Sequence, residues 1–406
     1  ALSLGGAVEI NLSGGGAPDA SMLLDQITWE QGGPFETEGT ISIVDWRANG
    51  ASIAAQDLIV RIAAPSGRSG RLDLVGPARI TGPLGDGNVR DLVAELDLGV
   101  QWDEGWRVIP NQGCLPVRLG GLDVAGLSFA AGAFRLCPTP GGALIAADAT
   151  QRLSGGFSIQ GLHLNGRMAG PDAQPARLSA ASIDARFAGT ADAAQMLVQA
   201  AAPTIAVDMG AGRAIVLRGE RLSADASVGD GGWNVTGAFE AGTLEDPSLP
   251  GPISAISGRW NASPEAGEFV VRVEAGEAFV SAREAAPDAA DPRPLFNPVR
   301  LSGVSAELRD GQVRANGRII LDGDGHALAD FTAEHDIESG RGAAHAIADA
   351  LAFDESLQPY EISELARGII ATISRVCRLR SAMASAVCAR RDSATANGSA
   401  VTRRPS

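Results

Sequence analysis

"DLVAELDLGVQW", residues 91–102, is the stretch from which the fold is read. Leu92, Ala94, Leu96, Leu98, Val100 and Trp102 share one parity; Asp91, Glu95, Asp97 and Gln101 hold the other, with Val93 and Gly99 between them. Successive side chains of a strand point to opposite faces, so this is a strand with one apolar and one wetted side. In "QVRANGRIIL" (312–321), Val313, Ala315, Gly317, Ile319 and Leu321 oppose Gln312, Arg314, Asn316 and Arg318. In "EFVVRVE" (268–274), Phe269, Val271 and Val273 oppose Arg272 and the two glutamates. In "FSIQGLHLNGRM" (157–168) the apolar set changes parity at Gly161, which predicts a bulge or bend there.

Gly- and Pro-bearing turns such as "GPLGDGN", "SVGDGGW", "LDGDGHA" and "LRDGQ" separate these runs, and long helical patterns between them are lacking. Across 406 residues, 45% hydrophobic but only 4% aromatic, with 51 Gly and 22 Pro, this is a small-residue, turn-rich chain. The expected fold is all-β, a long antiparallel meander with one face apolar throughout and no fixed repeat. One amphipathic helix is expected near the C-terminus, over residues 359–373. There Ile362, Leu365, Ile369 and Ile373 follow a three-to-four spacing, Pro359 opens the segment, and Glu361 and Glu364 suit the dipole.

Charge and motifs exclude several functions. A net charge of −15 argues against nucleic acid as a partner. All 33 basic residues are Arg, the mark of a GC-rich genome. No run approaches the roughly 18 apolar residues of a membrane helix, and no basic-then-apolar leader stands at the N-terminus. The chain enters a strand pattern at once, which reads as a piece of something longer. His163, His326, His335 and His345 have no zinc-pair spacing, and neither HExxH nor G-x-S-x-G occurs. Asp322 and Asp324 lack the third ligand and closing Glu of a calcium loop. No catalytic residue, metal or cofactor is expected, and the chain is not read as an enzyme.

An apolar sheet face must be covered. A closed sandwich would do it with a second sheet, whereas a curved sheet left open would take acyl chains, each buried CH₂ worth about 0.8 kcal/mol. Periodicity alone is compatible with both. Cys114 and Cys137 bracket a segment that reads as two short strands, where they would lie opposite each other. They are the disulfide candidate, which points to an oxidising compartment, the periplasm.

Four phrases carry a resemblance: "CLPVRLGGLDVAGLSFAAGAFRLCP", "GTLEDPSLPGPISAISGRW", "RPLFNPVRLSGVSAELRDGQVRANGRIIL" and "FDESLQPYEISELARGII". Over residues 90–373 the chain resembles the YdbH-like branch of the AsmA-like superfamily, bacterial intermembrane phospholipid transport proteins. The resemblance implies an elongated, curved, taco-like β-groove over residues 1–358, in a protein anchored in the inner membrane of a Gram-negative bacterium. Its partners would be phospholipid acyl chains and components of the inner and outer membranes, with the chain itself monomeric. The groove candidates are Leu92, Leu96, Leu98, Val100, Val271, Val273, Val313, Ile319 and Leu321. Some relatives carry an older dicarboxylate-transport label, for which the sequence offers no paired-Arg site. A secreted or surface β-rich structural protein of adhesin type is the alternative reading. It would want a regular repeat and stacked Thr or Asn turns, and neither is seen. A β-helix enzyme acting on carbohydrate would want clustered carboxylates and aromatics on one wetted face.

Residues 374–406 read differently. Seven Arg and one Asp give them +6, against −21 for residues 1–373, and periodicity ends at Ile373. Out-of-frame GC-rich DNA yields such Arg-, Ala-, Ser- and Cys-rich text, so a frameshift near codon 373 and a disordered tail are expected. An authentic basic tail on anionic lipid, about 1 kcal/mol per Arg, is the rival.

Overall fold

The computed structural model describes residues 3–4, 6–13, 19–30, 33–48, 50–66, 68–84, 87–124, 127–139, 142–168, 173–190, 193–229, 232–247, 249–265, 268–283, 294–322, 325–336, 341–348, 351–353, 357–363, 376–379 and 386–389. Twenty-five strands, from Ser3–Leu4 to Arg341–Ile347, pair in one antiparallel sheet. Its outer strands Val8–Leu12 and Arg341–Ile347 are exposed along their whole length, so the sheet is open and not a barrel. Among the described residues no second sheet of comparable size covers it; the other sheet has three short strands.

Several strands are long. Ala51–Ser66, Ser69–Leu84, Gly87–Trp102 and Leu153–Met168 each run 16 residues, or roughly 50 Å at the strand rise. Long strands accumulate twist, and bulges interrupt these. At Gly161 the backbone turns to φ +62°, and the register skips from Gln160↔Ser182 to Leu162↔Ala180. The parity change read in the sequence is therefore a real bend, in which Gly161 and Ala181 are passed over together and the register is kept. It belongs to a crease crossing the sheet. Ala202 (φ +47°) receives its place by donating to Glu220, whose own N–H donates to Glu240. Ala241 (φ +49°), Ala255 (φ +52°) and Gly303 (φ +59°) continue the line through the next strands. Each extra residue flips the strand, and the apolar parity flips with it, so the same face stays apolar on both sides of the bend. At Asp57, Asp91 and Ala241 the freed N–H is caught by a neighbouring strand's hydroxyl, Ser42 at 3.2 Å, Thr81 at 3.1 Å and Ser257 at 3.1 Å.

The helix is shorter than the spacing predicts. It spans Pro359–Ile362, four residues, and residues 364–373 lie outside the described ones. Pro359 opens it, and the Gln358 N–H donates to the Glu361 carboxylate. The segment is tied to the sheet by Asn297, whose amide donates to the carbonyls of Tyr360 (3.0 Å) and Glu361 (2.8 Å). Leu357 and Ile362 thereby pack on Leu321. Of residues 374–406, only Val376–Leu379 and Ala386–Ala389 are described; they pair with each other and with Leu351–Phe353 in a separate three-stranded sheet.

Candidate functional site

Cross-strand register joins the apolar parities of separate strands into continuous rows. One row passes through ten strands: Leu115, Leu136, Ile159, Ile183, Ala200, Leu222, Phe239, Gly258, Ala275 and Val304. Every member is apolar. Beside it, Trp260, Val273, Ala306, Ala315, Ala333 and Ala344 form part of a second row. Toward the N-terminus, Val8, Leu24, Gly39, Val60, Leu74 and Leu98 continue the same face. Neighbouring side chains in such rows lie about 5 Å apart, so these rows are contiguous apolar surface.

The predicted groove residues lie on this face in two groups. Leu92, Leu96, Leu98 and Val100 line the Gly87–Trp102 strand, opposite Ile80, Gly76, Leu74 and Leu72. Val271 meets Leu308, which meets Val313; Ile319 meets Leu301; and Leu321 meets Val299. All except Leu321 are half-buried, an exposure that a sandwich core would not leave. Leu321 is 5% exposed because Leu357 and Ile362 cover it, so this end of the face is closed. The middle is packed too. Leu119, Phe129, Leu162 and Leu164 form a buried cluster against which Leu92 also lies.

No family model, curated protein or solved structure matches the chain. What the site can do rests on its own geometry. The opposite face is laced with cross-strand ion pairs, among them Arg61–Glu38 (3.3 Å), Arg90–Asp123 (3.3 Å), Arg272–Glu307 (3.0 Å) and Arg318–Asp330 (3.0 Å). Such exposed, solvent-screened pairs add little to stability, and they keep that face in water. Val270 departs from the simple alternation. It sits on the charged parity yet is fully buried, in register between Ser263 and Arg309, while Phe269 on the apolar parity is 40% exposed. Arg272 and Arg309, ion-paired with Glu265, Glu307 and Glu268, share that face with Val270.

In that network the Arg272 guanidinium donates to Glu265, with Arg309 adding a second contact at 3.0 Å, and holds the Glu265 carboxyl down at about 2 from an ordinary 4.5. A depressed carboxylate stabilises the fold above its unfolded pKa, and the contribution is lost as pH falls from about 4.5 through about 2. The Glu265 carboxyl carbon, followed by NMR, is expected to titrate near 2 and to return toward 4.5 in Arg272→Ala. An unchanged midpoint in that variant would remove Arg272 as the cause.

Cys114 and Cys137 are bridged, with sulfurs 2.08 Å apart. They sit on the charged parity beside the Leu115↔Leu136 and Cys137↔Ser158 pairs, so the bridge fixes the sheet from behind the apolar row. Among the described residues no group of three His, Cys, Asp or Glu side chains is placed to hold a metal ion. No helix among them is long and apolar enough to cross a membrane.

Proposed function

We propose that the chain is a segment of a periplasmic, inner-membrane-anchored carrier that moves phospholipid between two membranes. Acyl chains lie against the apolar face while headgroups stay in water. The observation that carries this reading is the unbroken apolar row from Leu115 to Val304, flanked by rows whose large side chains are only half-buried. A face of this kind gains about 0.8 kcal/mol for each acyl CH₂ it takes from water, without a directional site or a catalytic group. Carriage along it is passive: rows of Leu, Val and Ala accept a chain from either end, so direction must be imposed at the membranes. The resemblance to the YdbH-like branch favours the same reading.

The test is extraction of the purified, periplasmically exported chain for phospholipid, quantified by mass spectrometry. Stoichiometric phospholipid is expected, and its loss is expected when Leu96→Asp and Ile319→Asp are combined in a chain whose circular dichroism is unchanged. Folded wild-type protein free of lipid would remove the reading.

A further inference from the structure

The tryptophans are scattered along the sequence but gathered by the topology. In the meander, alternate turns fall on opposite rims of the sheet. Asp19–Glu30 and Gly87–Trp102 run the same way, with two antiparallel steps on either side of Ala51–Ser66, so Trp29 and Trp102 end at the same rim. Trp29 pairs with Phe35, and Trp102 pairs with Trp106. Further along that rim, Trp233 and Phe269 open their strands with ring centroids 5.8 Å apart. Four of the six tryptophans therefore stand at one rim, all on the apolar parity, all half-buried. Trp46 lies at the opposite rim and Trp260 in mid-strand.

A second observation marks the same rim. A cavity of about 930 Å³ opens at the Trp102–Trp106 hairpin; both indoles and Gly70 line it, together with Arg71 and Arg107 and the acids Asp103, Glu104 and Asp148. Arg107 donates to Gln101 at 2.9 Å and Arg71 to Asp73 at 2.9 Å. Apolar wall and hydrogen-bonding groups meet there, as they do in an interfacial layer.

Amphipathic aromatic rings concentrate where hydrocarbon gives way to headgroup, because one end of the ring prefers apolar surroundings and the indole N–H prefers a wet acceptor. We infer that this rim is the headgroup boundary of the bound phospholipid: the glycerol esters lie at the level of Trp29, Trp102, Trp106 and Trp233, and the acyl chains run from there across the sheet. The inference rests on the lipid-carrying reading and adds an orientation to it.

The experiment uses the full chain carrying Trp46→Phe and Trp260→Phe, so that only rim tryptophans emit. It is loaded with phosphatidylcholine brominated either beside the glycerol end of the chain or at the chain terminus. Bound lipid is quantified in the same samples. Bromine near the glycerol is expected to quench a larger fraction of the emission than bromine at the terminus. Bound lipid with equal quenching, or stronger quenching by terminal bromine, overturns the rim assignment and leaves carriage standing. Absence of bound lipid overturns both.

Discussion

Replacing Phe129 by Ala is expected to lower the unfolding free energy by about 3–5 kcal/mol, the usual penalty for deleting a buried aromatic ring. Phe129 is 1% exposed, among the largest fully buried side chains in the molecule. It lies in register between Leu122 and Gly166 and shares its cluster with Leu119, Leu162 and Leu164. Gly166 is what makes room for it, since a Cβ there would stand 2.9 Å from the Phe129 ring. The strand that carries it, Leu127–Phe129, is only three residues long, so little else holds that strand in place. Guanidinium unfolding of the variant checks the figure. A loss below about 1 kcal/mol would mean that the cluster collapses around the gap and is not a rigid core.

The sequence made the faces legible because parity depends only on the two-residue repeat of a strand. Leu92, Leu96, Leu98 and Val100 could be assigned to one side before any pairing was known, and register then joined them to Leu72 and Leu74. Gly161 was legible as the site of a bulge or bend because the apolar residues on either side of it change parity, and the structure makes it a bend with the register kept. Asp57, Asp91, Ala241 and Ala255 were not, although they do the same work at positive φ. Alanine and aspartate carry no local mark of that conformation, which is imposed by the neighbouring strands and stabilised by hydroxyls such as Ser42 and Ser257. Burial was legible only in part. Glu95 and Asp97 are as half-buried as Leu96 and Leu98, because Arg118 and Asn111 reach across to them. The aromatic rim was invisible for a topological reason: residues as distant as Trp29 and Phe269 meet the same boundary only after the meander is folded. The short helix follows from Pro359 and Glu361; Ser363 in extended conformation ends it, and Asn297 takes the carbonyls of Tyr360 and Glu361.

Opening the Cys114–Cys137 bridge is expected to destabilise the chain by about 3 kcal/mol, the chain-entropy value for a loop of 23 residues. The double variant Cys114→Ala, Cys137→Ala is the cleaner form of the experiment, compared with wild type with and without reductant. Reductant should shift wild type to the variant's unfolding midpoint and leave the variant unmoved. A variant as stable as oxidised wild type would mean that the hairpin stays closed in the unfolded chain without the bond. The bridge and Phe129 also bear on each other. The loop closed by the bridge contains Leu115–Val124, Leu127–Phe129 and the strand Gly132–Pro138 as far as Cys137, so it encloses the ring and one wall of its cluster. Once the Phe129→Ala gap has loosened these strands, less native structure remains for the bridge to hold. The combined variant should therefore lose less than the sum of the two separate losses, whereas independent sites would add. Strict additivity in the triple variant would mean that the bridge acts on the unfolded chain alone, with no mechanical link to the apolar face in front of it.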